Sequence, residues 1–231
     1  MSFLFDGLGI LHVVLLAILF VLVWRLFRRY PILLIYCGAQ LVTSLIEFTV
    51  LKQYGQKSHL YAVLFWTDEL VLDLLLFLMV IDLTYRAMER NPARGMMARL
   101  LGGIVLLMLL LPFVVFQEPP FKASGAPNAS WFDHTSQLLN FGGAILNLGL
   151  WTALLSSRNR DSQLLMVSAG LGVAVTGAAI SYGLRSLFHD YQGAANLFYV
   201  VTRAASAFIW CWAFRPSARA ASAPRDAVTT L

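Results

Sequence analysis

The sequence predicts an all-α polytopic membrane protein: a seven-transmembrane helix bundle with its N-terminus outside and its C-terminus in the cytoplasm. Three observations predict it. Of 231 residues, 59% are hydrophobic and 13% charged, with a mean hydropathy of +0.71, whereas a soluble domain carries about 25% charged residues. Seven long apolar runs follow one another with short connections, and about 20 such residues cross the hydrocarbon layer as a helix. The runs lack period-2 alternation, which argues against strands. Finally, the basic residues sort by connection. Twelve arginines follow spans 1, 3, 5 and 7, three lysines and Arg185 lie on the other side, and Arg203 sits inside a span. The positive-inside rule sets the orientation from that asymmetry.

The predicted spans are 7–24, 32–51, 60–83, 100–116, 135–155, 163–184 and 194–214. They form one domain over residues 1–214, with a disordered cytoplasmic tail over 215–231. Span 1 is followed, not preceded, by Arg25, Arg28 and Arg29 and lacks a small-residue cleavage site, so it reads as a retained helix. Span 2 opens on Pro31, where a missing N–H costs nothing. Span 4 has no polar side chain and belongs at the lipid-facing periphery, with a kink expected at Pro112. The connection "QEPPFKASGAPNASWFDH" reads as an outer loop over the bundle mouth, with a weak glycosylation pattern at Asn128. Span 6 repeats small residues at Gly170, Ala174 and Ala178, which lets backbones approach closely and places this helix among its neighbours.

Four spans carry polar stripes at helical spacing. These are Tyr36, Gln40, Thr43 and Glu47 in span 2, Glu69 and Asp73 in span 3, Gln137, Asn140 and Asn147 in span 5, and Asn196, Tyr199, Arg203 and Ser206 in span 7. Spacings of three and four align each set on one face. Unpartnered polar groups in hydrocarbon cost several kcal/mol each, so the four faces are expected to meet in a shared interior. Counted from the outer ends at 1.5 Å per residue, Glu47 and Asn140 lie about 8–9 Å deep, Glu69 and Arg203 about 14 Å, and Asp73 and Asn147 about 20 Å. Asp82 lies near the inner end, four residues before Arg86, and predicts an i,i+4 pair. Two like charges one turn apart, Glu69 and Asp73, need a proton or a cation. Arg203, at matching depth, is expected to pair with one or both.

Several chemistries lack their residues. Lys52, Lys57 and Lys122 all fall in outer connections, so no Schiff-base lysine is available in a span. His12, His59, His134 and His189 form no HxxxH or HExxH pattern, and Cys37 and Cys211 are isolated, so neither a metal nor a cofactor is expected. No nucleic-acid partner is indicated.

The segments "RRYPILLIYCGAQ", "LYAVLFWTDEL" and "LFLMVIDLTYRAM" resemble a group of small uncharacterised bacterial seven-helix proteins. In that group a Tyr-Pro start to span 2 and a Tyr…Trp…Glu pattern in span 3 recur. The chain is also broadly similar to the seven-helix sensor regions of bacterial histidine kinases. The resemblance implies a multi-pass protein of a bacterial cytoplasmic membrane and supplies no activity. The functional expectation is a non-enzymatic module with an outward-side polar cavity for a small molecule or lipid, acting as a sensor or accessory subunit beside a membrane-protein partner. Its ligand-binding or ion-pair residues would be Glu47, Glu69, Asp73, Asn140, Asn147, Tyr199 and Arg203. The alternatives are a lipid-modifying enzyme or a proton-coupled transporter working through Glu69 and Asp73.

Overall fold

A computed structural model describes residues 2–55, 57–88, 94–156, 161–187 and 192–215. The predicted tail, apart from Arg215, lies outside them, as do Arg90, Arg158, Arg160 and His189. The described residues form seven helices: α1 (Ser2–Trp24), α2 (Pro31–Tyr54), α3 (His59–Ala87), α4 (Arg94–Val115), α5 (Ala129–Ser156), α6 (Ser162–Leu187) and α7 (Gln192–Ala213). All but α3 are long and apolar enough to cross a membrane. The exception is 29 residues long. Its composition fails because Asp68, Glu69, Asp73, Asp82 and Arg86 leave no long stretch free of charge.

Each helix overruns its apolar run. Ser58 caps α3 by accepting the Tyr61 N–H at 3.2 Å, and Asp161 caps α6 by accepting the N–H groups of Gln163 and Leu164 at 3.0 and 3.1 Å. Helix α4 starts six residues early, and Arg94 lies over the Tyr85 ring, 4.4 Å from its centroid. It runs unbroken past Pro112 to Val115. Helix α5 starts at Ala129, so Asp133 and His134, read from sequence as loop, are helical. Gly125 turns the α4–α5 connection at a φ of 77° that only glycine adopts without strain. There the buried Asn128 donates its side-chain amide to Glu118 (2.7 Å) and Pro119 (3.3 Å), which ties the nitrogen a glycan would need.

Six helices close a ring in the order α1, α2, α3, α5, α6, α7, with α7 returning to α1 and α3 touching α6 across the middle. Helix α4 stands outside the ring against α3 and α5, as the lack of polar side chains over span 100–116 predicts. Helix α6 is the most enclosed, for the reason its small residues suggest. A Cβ on Gly170 would lie 2.6 Å from Trp210 Nε1, and one on Gly172 2.6 Å from Asn147 Nδ2. Only glycine admits those side chains.

The outward surface is as apolar as the interior. Val21, Leu45, Val114 and Leu148 are 68–76% exposed, an arrangement that suits lipid and not water. The end bearing the α1–α2, α3–α4 and α5–α6 connections is laced by arginines. Arg29 pairs with Asp161 at 2.6 Å, and Arg86 pairs with Asp82 at 2.8 Å while donating to the Arg29 carbonyl. The Asp82–Arg86 pair is the one the i,i+4 spacing predicts.

Candidate functional site

One helical turn separates Glu69 from Asp73 on α3, and one turn separates Tyr199 from Arg203 on α7, so each pair shares a face. The ring turns the α7 face toward α2, α3 and α6. Arg203 donates from Nη2 to Asp73 Oδ1 at 2.6 Å and to Tyr199 Oη at 2.8 Å, and from Nη1 to Tyr36 Oη at 2.8 Å. Tyr182 of α6 donates to the other Asp73 oxygen at 2.9 Å. Asp73 is 1% exposed, yet both its oxygens have donors. An ion pair taken out of water holds only when its remaining hydrogen-bonding positions are filled, and here three phenols fill most of them. Arg203 Nε alone keeps no partner. The cluster joins α2, α3, α6 and α7 and leaves no room on Asp73 for a ligand.

Glu69 belongs to a different constellation. Its Oε1 lies 3.8 Å from Arg185 Nη1, the same nitrogen that lies 3.9 Å from Asp133 Oδ1. Both separations allow charge attraction but exceed hydrogen-bond length. Glu69 Oε2 and Asp133 Oδ1 are buried and make no hydrogen bond among the described residues. Arg185 is steered from elsewhere. Its Nε donates to Asn196 Oδ1 at 2.8 Å, and its guanidinium lies 5.2 Å from the Tyr182 ring centroid and 5.6 Å from that of Tyr199.

A cavity of about 570 Å³ opens beside Arg185, at the end bearing the α4–α5 and α6–α7 connections. Its walls include Phe65 and Trp66 from α3, Asp133 and Gln137 from α5, Arg185 from α6 and Asn196 from α7. This size and mixture of rings with a few converging polar groups is that of small-molecule sites. The Trp66 ring is braced by Phe132 at 6.1 Å and by Phe65 at 5.3 Å. Tyr182 links the two constellations, since it lines the cavity and holds Asp73. Among the described residues, no group of three or more His, Cys, Asp or Glu side chains is placed to hold a metal ion.

The residues singled out from sequence therefore divide. Asp73, Tyr199 and Arg203 meet in the closed cluster, and Glu69 stands one turn away against Arg185. Asn147 turns to α6, where it accepts the Ser168 hydroxyl at 3.0 Å and packs over Gly172. Asn140 donates to its own helix at Ser136 O (2.9 Å), and its buried Oδ1 lacks a partner. Glu47 is half-buried, and its charged neighbour is Asp68. The shared interior expected of all four stripes is thus corrected: on α5, Asn147 bonds to α6, Asn140 bonds back to its own helix, and only Gln137 reaches the cavity.

Sequence reasoning missed Tyr182, Arg185 and Asp133. A signal existed for the first, because the small-residue series 170, 174, 178 continues to 182 on the same face. Arg185 and Asp133 were assigned to connections because the apolar runs stop short of them. No family model, curated protein or solved structure matches this chain.

Proposed function

We propose that this chain is a seven-span protein of a cell membrane, N-terminus outside, that binds a small polar molecule or lipid headgroup in the cavity beside Arg185. It would serve as a sensor-like or accessory subunit. One observation carries the reading: a cavity of about 570 Å³ is lined by Arg185 and Asp133, whose charges face each other at 3.9 Å without a hydrogen bond. Charges held that loosely in a sheltered site gain from a ligand that completes their coordination. The arginine-rich end supports that orientation, in which the cavity mouth faces the outer side. Acids fit a spanning α3 because Glu69 and Asp73 are turned toward α5, α6 and α7, while Asp82 pairs with Arg86 on its own helix.

The other two readings receive less support. An enzyme using Glu69 and Asp73 as acid and base would need both free, and Asp73 is saturated by Arg203 and Tyr182. A transporter would need a polar route toward the arginine-rich end. Leu76, Met79, Val80, Leu83, Val167 and Leu171 instead fill that half of the core, each at most 1% exposed.

The test is native mass spectrometry of the protein purified in mild detergent, comparing wild type with Arg185→Gln and the cavity-filling Ser130→Trp. A co-purifying small molecule or lipid lost in both variants is the expected result. An identical bound profile in all three proteins would sink the proposal.

A further inference from the structure

We infer that the cavity recognises a zwitterion, a molecule carrying an ammonium group and an acidic group a few ångströms apart. This rests on the cavity being a ligand site and names the chemistry it selects.

Acidic groups outnumber the basic one around Arg185. Two carboxylates face one guanidinium, Glu69 from behind and Asp133 at the cavity wall. Glu69 is 9% exposed and is not among the residues that line the cavity, so this acid stays behind the wall. Asn196 and the rings of Tyr182 and Tyr199 hold Arg185 in place whatever Asp133 does. Asp133, with its side chain 35% exposed, is the surplus acid and the one a ligand can reach. An ammonium placed there gains a partner that Arg185, at 3.9 Å, does not fully supply.

The same geometry leaves the arginine open. Nε is committed to Asn196, while neither terminal nitrogen makes a hydrogen bond among the described residues. Stacking on Tyr182 and Tyr199 fixes the plane of the guanidinium. A planar fork with free donors suits a carboxylate or phosphate. A cation alone would leave the fork unfilled, and an anion alone would meet Asp133. Only a ligand with both charges answers both groups. The remaining wall suits an apolar extension, because Phe65 and Trp66 of α3 line the cavity. Two sources share this chemistry, a free amino acid and an amine-bearing phospholipid headgroup.

Isothermal titration calorimetry on the full chain in detergent separates them. The probes are L-phenylalanine, its single-charge analogues phenethylamine and 3-phenylpropionate, dihexanoyl phosphatidylethanolamine and dihexanoyl phosphatidylglycerol. The inference expects a zwitterion, the amino acid or the phosphatidylethanolamine, to bind at least tenfold more tightly than every singly charged probe. It also expects Arg185→Gln and Asp133→Asn each to weaken that binding tenfold or more while the elution profile stays monodisperse. Which zwitterion wins identifies the source. A singly charged probe binding as well as either zwitterion overturns the inference and leaves the cavity reading standing. If no probe binds and Ser130→Trp changes no co-purifying molecule, the cavity reading falls and the inference with it.

Discussion

At the scale of single residues, the two arginines inside the bundle do opposite things. Arg203 has its charge neutralised and both terminal nitrogens bonded, which ties four helices together. Arg203→Ala would leave the Asp73 carboxylate buried with only Tyr182, at a cost of about 3–5 kcal/mol. The double variant Arg203→Met/Asp73→Leu removes both charges and should recover most of that loss. Thermal unfolding in detergent checks this, and a double variant no more stable than Arg203→Ala would count against the clamp. That Arg203 pairs with an acid of α3 was legible in the sequence because Arg203 is the sole cation within a predicted span. The depth count set it level with Glu69, and the structure pairs it with Asp73 one turn deeper. The partner of Glu69 was not legible, since Arg185 lies beyond the apolar run that marks span 6.

Among the elements, α6 organises the bundle through what it lacks. A methyl group on Gly177 would run into the Thr202 side chain of α7, including its Cβ. Gly177→Ala should therefore cost about 1–3 kcal/mol by overpacking, and the added Thr202→Gly should restore most of it. Gly149 faces open space, so Gly149→Ala serves as the control and should not destabilise, since alanine is the better helix former. Equal losses at 149 and 177 would show that helix propensity, not the α6–α7 approach, sets the effect. The small-residue repeat disclosed that α6 is buried. It could not disclose that the same face ends in Tyr182 and Arg185 at the cavity, because a stripe of glycine and alanine names no partner.

For the whole molecule, the proposed orientation rests on the arginine asymmetry and has a direct test. In a variant with Cys37 and Cys211 replaced by serine, Lys122→Cys should react with a membrane-impermeant maleimide in intact cells. Arg28→Cys should react only after permeabilisation. Both positions are exposed. The reverse pattern would invert the protein and put the cavity mouth in the cytoplasm.

Composition, apolar run length and helix caps act locally or along one dimension, and for that reason they determined an all-helical chain with membrane-compatible helices and near-correct ends. What they leave open is the rotation of each helix about its axis and which neighbour it meets. Those depend on every helix at once. The structure decided that Asn147 of α5 turns to α6, that Asp73 closes on Arg203, and that Glu69 instead shares Arg185 with Asp133. Glu69 and Asp73 stand one turn apart on the same face of α3, and the contacts of the surrounding helices alone bind one to Arg203 and set the other against Arg185.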